Sequence, residues 1–331
     1  MSEIRQDPTT KEWVIIATER RKRPSDFLPK ASPAEKPPFL GSCPFCPGNE
    51  KMTPDKILSF PESGSWRVRV IGNKFPAVAP DGSNARQMEQ GCFLKMNGLG
   101  VHEVIVESPL HNMTLALMNE AHLREVLLAH HLRYQSLAQI PYIKSIIIYK
   151  NHGQNAGTTL DHPHSQLVGT AIVPRHLRTQ YEFAISYYDD HGSCLYSDLI
   201  DRELEAGTRM VLENERFVVF HPFASHRPFE TWIMPKAHQA SFGESSEEDI
   251  YHLTRVLRTT LLKLYRGLSN PDFNLVINSA PVGEERADFY QWHLRIIPRI
   301  IQPAGFEVGS GIYINPALPE ETAKFMRELQ A

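Results

Sequence analysis

Apolar and polar residues along the 331-residue chain follow two periods, and the same order of elements is written twice. Residues 1–60 are proline-rich and irregular apart from Glu12-Trp-Val-Ile-Ile-Ala17, whose β-branched run predicts a strand. Further strands are predicted over Trp66–Ile71, His102–Glu107 and Ile143–Tyr149, with another starting near Ser165. Between them Leu123, Val126, Leu127 and Leu132 recur at helical spacing and predict a helix over Glu120–Ala138. The second half predicts a strand at Phe229–Met234, a helix at Asp249–Leu268, and strands at Asn274–Asn278 and Trp292–Ile297. Ser245 and Glu248 stand at capping-box spacing ahead of that second helix.

Marker residues keep their spacing between the halves. Glu103 to His111 and Glu230 to His238 are both eight residues; His111 to Asn151 and His238 to Asn278 are both forty. Asn151 to His164 is thirteen, and Asn278 to His293 is fifteen. A duplicated strand–helix–strand–strand unit follows, divided after residue 186 into segments 1–186 and 187–331. The fold class expected is α+β, with two units extending one antiparallel sheet that carries helices on a face.

Composition narrows the class. Hydrophobic residues make up 41% and charged residues 22%, which is globular. A net charge of -3 gives no basic field for nucleic acid. The polar start MSEIRQDPTT has no signal-peptide core, and no apolar run reaches the roughly 20 residues of a membrane span. A cytoplasmic protein without membrane or nucleic-acid partners is expected.

Two features carry chemistry. Cys43-Pro-Phe-Cys46, flanked by Gly41 and Gly48, is a close pair that reads as a metal or redox site. Its tight turn suits a metal knuckle, and nothing near it has the strand–helix context of a thioredoxin motif. Zinc there needs two more ligands from elsewhere. The second feature is His162-Pro-His164-Ser-Gln166, which in a strand turns two imidazoles and an amide to one face. The loop before it, Asn151-His-Gly-Gln-Asn-Ala-Gly157-Thr158-Thr159, is small and polar, and can offer backbone N–H groups to a phosphate. A neutral imidazole nitrogen can attack phosphorus in line and hold the group covalently.

HPHSQ, CPFC and the opening RQDPTTKEWVIIATERRKRP resemble the galactose-1-phosphate uridylyltransferase family of the histidine-triad superfamily, across nearly the whole chain. The resemblance implies a half-barrel of duplicated histidine-triad units, a homodimer with shared active sites, and one structural zinc held by Cys43, Cys46, His111 and His162. It implies His164 as nucleophile, with Gln166 holding the nucleotidyl phosphate. It implies substrate contacts from Arg20, Arg23, Asn73, Asn151, the Gly157–Thr159 loop including Thr158, and Phe306. The substrates implied are a nucleotide sugar and a sugar 1-phosphate, exchanged by a ping-pong transfer as in UDP-glucose–hexose-1-phosphate uridylyltransferase.

The chain also departs from that pattern. Lys74 follows Asn73 where the uridylyltransferases have Asp. A second metal site in some members uses a Glu and three histidines; here Gln180 and Gln291-Trp-His293-Leu-Arg295 leave only His293, so one metal is expected. Cys194, followed by Leu-Tyr-Ser197, also breaks a paired-cysteine version. Gly305–Pro316 has Ser310 and Gly311 where Tyr and Glu would meet the hexose, which predicts weak discrimination between glucose and galactose 1-phosphates. That glycine-rich segment, like Asn73-Lys-Phe-Pro76, is closer to the ADP-glucose phosphorylase branch, in which phosphate is the acceptor. A histidine-triad nucleotide hydrolase is a further alternative, against which Gln166 stands in place of a third histidine. A non-catalytic zinc or nucleotide-binding module is another.

Overall fold

The computed structural model describes residues 2–17, 24–27 and 36–330. Its strands are β1 (Glu3–Gln6), β2 (Trp13–Ile16), β3 (Lys56–Phe60), β4 (Val68–Gly72), β5 (Gln87–Glu89), β6 (Phe93–Lys95), β7 (Gly100–Val106), β8 (Ser145–His152), β9 (His164–Thr170), β10 (Met210–Glu213), β11 (Phe217–Phe220), β12 (Thr231–Pro235), β13 (Phe273–Asn278), β14 (His293–Pro298) and β15 (Tyr313–Asn315). Its helices are α1 (Glu120–Ala138), α2 (Arg175–His191), α3 (Leu195–Ala206), α4 (Glu247–Gly267), α5 (Gly305–Ser310) and α6 (Pro319–Glu328).

Ten strands form one sheet in the order β10-β11-β12-β14-β13-β8-β9-β7-β4-β3. The order reads outward from the β8–β13 pair in the same way on both sides: β8-β9-β7-β4 in one unit, β13-β14-β12-β11 in the other. The duplication expected from the sequence is present. Register fixes the equivalences. Val104 opposes Gln166 and Trp232 opposes Arg295, while Asn278 opposes His293. His293 is therefore the counterpart of His164, and Glu230 the counterpart of His102. The Glu103–Glu230 match in sequence was one residue out, because a single Glu beside each strand start does not fix register.

Period-two alternation explains why the two faces differ. On β11, Phe217 and Val219 join the main core, whereas Val218 and Phe220 join a second cluster. The main core packs Leu123, Val126 and Leu127 of α1 and Leu253, Val256 and Leu257 of α4 against one face of the sheet. On the opposite face, α2 and α3 cover the second unit through Ala184, Leu195, Tyr196 and Ile200. The first unit instead carries the cysteine knuckle there, with Cys43, Phe45 and Cys46 packed on Ile71, Val104 and Val106.

Two expectations are corrected in detail. The capping box of α4 uses Ser246 and Asp249, not Ser245 and Glu248: Asp249 N donates to Ser246 Oγ, and Ser246 N donates to Asp249 Oδ2. Ser245 Oγ is engaged with Gln239 instead. In the Gly305–Pro316 segment, 305–310 coil into α5 and 313–315 pair in parallel with β2. The boundary placed after residue 186 falls inside α2. No helix among the described residues is long and apolar enough to cross a membrane.

Candidate active site

The site lies where β8 and β9 meet the loop between them. Tyr149 opposes Gln166, and two residues further in that register Asn151 faces His164. His164 lines a cavity of about 1060 Å³ with Asn151, Gly153, Asn155 and Thr158. Phe45 of the knuckle sits edge-on to the His164 ring at 5.4 Å.

The hydrogen bonds of His164 decide its tautomer. Nδ1 lies 2.9 Å from the His162 carbonyl, which can only accept, so Nδ1 carries the proton. Nε2 is then left with a lone pair. Burial pushes the imidazole below its ordinary pKa, and the nearby Lys150 charge adds to this, so the ring is neutral at pH 7. Lys150 itself is buried behind the strand, donating to Glu107 Oε2 at 2.6 Å and to the His164 carbonyl at 3.0 Å.

Gln166 is oriented by a converging set of donors. Ala77 N donates to His102 Nδ1 at 3.1 Å, so Nδ1 is the accepting nitrogen and Nε2 the donating one, 2.8 Å from Gln166 Oε1. Tyr149 Oη donates to the same oxygen at 3.0 Å, and Asn73 Nδ2 lies 3.5 Å from it. With its oxygen so occupied, the Gln166 amide presents its NH₂ away from these groups, as a donor suited to an anionic oxygen. His102, Tyr149, Lys150, Glu107 and Phe45 escaped the sequence reading; His102 and Tyr149 stand at positions that face Gln166 only once strand register is known.

Ligand atoms of Cys43, Cys46, His111 and His162 all lie within 4.8 Å of one another and are buried. This group could hold a metal ion. The hydrogen bonding around these ligands fits: His162 Nε2 is 2.7 Å from the Ser108 carbonyl, so its proton is there and Nδ1 is a free ligand toward Cys46. Burial lowers the His162 pKa to about 4, keeping it in the neutral form a metal needs.

Other expected positions come out differently. Arg20 and Arg23 lie outside the described residues. Gly157 N bonds to Gln154 O and Thr158 N to Gly153 O, so both amides close a tight turn rather than offering donors to a ligand. Thr158 lines the cavity; Gly157 and Thr159 do not. Phe306 is half exposed on α5 and is not part of the cavity wall.

The second unit repeats the His164 geometry without its access. His293 Nδ1 lies 3.2 Å from the Gln291 carbonyl, as His164 does from that of His162. Yet His293 is fully buried, stacked 4.7 Å from Trp232 and 5.5 Å from Tyr196 of α3. Arg295, paired with Glu230 at 2.8 Å, replaces the Gln166–His102 pair. Gln180 is buried with neither amide atom partnered among the described residues. The same face that holds a cavity in one unit is closed by helices in the other.

Comparison with known proteins places both halves of the chain in one family. Residues 1–174 match the family described as galactose-1-phosphate uridyl transferase, N-terminal domain, and residues 180–330 match its C-terminal domain. The chain is 34% identical to an ADP-glucose phosphorylase of Arabidopsis thaliana, over 99% of this chain and 93% of that protein. It is 28% identical to a galactose-1-phosphate uridylyltransferase of Thermotoga maritima, over 100% and 99% of the two chains. A crystal structure of an Arabidopsis thaliana ADP-glucose phosphorylase with bound ADP-glucose superimposes with a TM-score of 0.85 at 30% identity, covering 100% of both chains. A uridylyltransferase structure gives a TM-score of 0.76 at 27% identity, covering 99% and 97%. By its two matched halves and by its fold, the chain belongs to the galactose-1-phosphate uridyl transferase family.

Proposed function

We propose that the protein is a nucleotidyltransferase of the UDP-glucose–hexose-1-phosphate uridylyltransferase type, working through a nucleotidyl-histidine at His164. The observation that carries this reading is the His164 ring itself: neutral, with its proton held by the His162 carbonyl, and with Nε2 unprotonated beside the cavity. Nε2 attacks the α-phosphorus of a nucleotide sugar, the bond from phosphorus to the bridging oxygen breaks, and sugar 1-phosphate leaves with that electron pair. The attack makes the imidazole cationic. The Nδ1 proton stays in place, and the His162 carbonyl stabilises the charge. The Gln166 NH₂ donates to the nucleotidyl phosphate, where positioning and charge matter more than proton transfer. An oxygen of a second sugar phosphate then attacks phosphorus and the P–N bond breaks, restoring neutral His164.

Cys43, Cys46, His111 and His162 fit a structural zinc. A zinc held by these four residues would tie the knuckle, and Phe45 with it, to the start of the strand that carries His164. Asn73 and Asn151 are assigned to substrate contact, with Arg20, Arg23 and Phe306 reaching substrate within a homodimer. Exposed Phe75, Met88, Phe93 and Leu94 support such a dimer. The free cysteines Cys43, Cys46, Cys92 and Cys194 support a cytoplasmic, reducing location.

A second reading, ADP-glucose phosphorolysis with phosphate as acceptor, is favoured by the 34% identity to the Arabidopsis enzyme. One assay separates them. UDP-glucose or ADP-glucose is mixed with labelled glucose 1-phosphate, galactose 1-phosphate or inorganic phosphate. Label entering UDP-sugar supports the uridylyl reading, and label entering ADP supports the phosphorylase. Release of free nucleoside monophosphate alone would make the protein a hydrolase, and no turnover would contradict an enzymatic role.

A further inference from the structure

Asn151 of β8 stands beside His164 of β9, and both line the cavity, but the Asn151 side chain is held by the other unit. Asn274, opposite it on β13, donates from Nδ2 to Asn151 Oδ1 at 2.7 Å and to the Ala156 carbonyl at 2.9 Å. Arg299 Nε donates to Asn274 Oδ1.

Amide nitrogen and oxygen are hard to tell apart by shape, yet here chemistry leaves one assignment. A guanidinium has donors only, so Asn274 must turn its oxygen to Arg299. A backbone carbonyl accepts only, so Asn274 must turn its nitrogen to Ala156. That nitrogen also meets Asn151, which must answer with its oxygen. The Asn151 NH₂ is then the end left over, and among the described residues it has no acceptor.

We infer that Arg299 and Asn274 of the second unit are positioning residues that fix Asn151 as a hydrogen-bond donor toward the anionic group transferred at His164. This rests on the reading of the cavity as a phosphoryl-transfer site. The second unit, whose own histidine is closed off, thereby acts in the first unit's chemistry. Its relay sets the amide of Asn151 as His102 and Tyr149 set that of Gln166. Two amide donors then flank the nucleophile.

The test is Asn274→Asp. A carboxylate still pairs with Arg299 but cannot donate, so Asn151 turns its NH₂ toward Asp and its oxygen toward the anion. The expected result is a melting temperature within a few degrees of wild type and a rate of His164 labelling by UDP-glucose or ADP-glucose lowered about 10- to 100-fold, the scale of one donor to a charged group. In an Asn151→Ala background the same substitution should change the rate less than about twofold, since the effect passes through Asn151. An equal loss in both backgrounds would overturn the inference. A crystal structure resolving amide hydrogens decides the orientation without any substrate. Asn151 Nδ2 facing the cavity supports the relay; Oδ1 facing it overturns the relay, whatever the reaction proves to be. Absence of His164 labelling in wild type would instead count against the transferase reading.

Discussion

Replacing Lys150 by methionine keeps most of the side-chain volume and removes only the ammonium group. Lys150 is 2% exposed and Glu107 is fully buried, so their 2.6 Å ion pair lies out of water. Lys150 meets Glu107 Oε2, and Oε1 has no hydrogen-bond partner among the described residues, so Lys150→Met leaves a buried carboxylate uncompensated. Breaking such a pair costs about 3–5 kcal/mol. With an unfolding entropy of about 2.1 cal/mol/K per residue, 331 residues give about 0.7 kcal/mol/K. The melting temperature should therefore fall by roughly 4–7 °C. The double variant Lys150→Met, Glu107→Leu removes both charges and should recover most of that loss. Thermal and urea unfolding of the four proteins measure the cycle. A single-variant shift below about 1 °C, or a double variant as unstable as the sum of the singles, would refute the claim that this pair is one buried electrostatic unit.

Other expected outcomes follow from the same geometry. Gly153 has φ +84°, and a Cβ there would lie 1.7 Å from Asp272 Oδ1, which accepts from Asn155 through its other oxygen. Gly153→Ala should displace the cavity loop and lower kcat/KM more than about tenfold, on the scale of misplaced catalytic groups, with partial recovery in Gly153→Ala, Asp272→Gly; unchanged kinetics would contradict it. Burial holds His130 and His152 at about 4 and His221 at about 3. Unfolding frees each to bind a proton at its ordinary value. Their stabilising contribution is thus complete above about pH 6.5 and lost as pH falls toward 3–4, with a slope near pH 5 of about 4 kcal/mol per pH unit for three protons. Urea midpoints that stay flat from pH 6.5 to 5 would contradict this. Metal analysis should find one zinc per chain, lost in Cys43→Ser with a fall in melting temperature; none, or two per chain, would contradict the Cys43, Cys46, His111, His162 site.

Much of this was legible in the sequence because it depends on local pattern. Helix α1 was placed to the residue, since Leu123, Val126 and Leu127 bury one face between clear ends. The duplication was legible in marker spacing, and HPHSQ and CPFC named the residues the fold gathers. What escaped depends on pairs distant in sequence. Lys150 and Glu107 are ordinary surface residue types until the sheet buries both. Asn274 and Arg299 gain meaning only when β13 pairs with β8. Helices α2 and α3 went unread, although they decide which histidine stays accessible. The short helix over 305–310 also went unread, because its glycines weaken helical propensity and the turn depends on Glu307 accepting from Ala304 N.

The central claim is that His164 Nε2 takes the nucleotidyl group. Wild type and His164→Ala are mixed with UDP-glucose or ADP-glucose labelled in the α-phosphate, quenched, and digested for peptide mapping under conditions that preserve a P–N bond. The account predicts label on the peptide containing His164 in wild type, discharged by sugar 1-phosphate or phosphate, and none in a folded His164→Ala protein. Label retained by His164→Ala, or transfer by wild type with no labelled enzyme at any time, would contradict it.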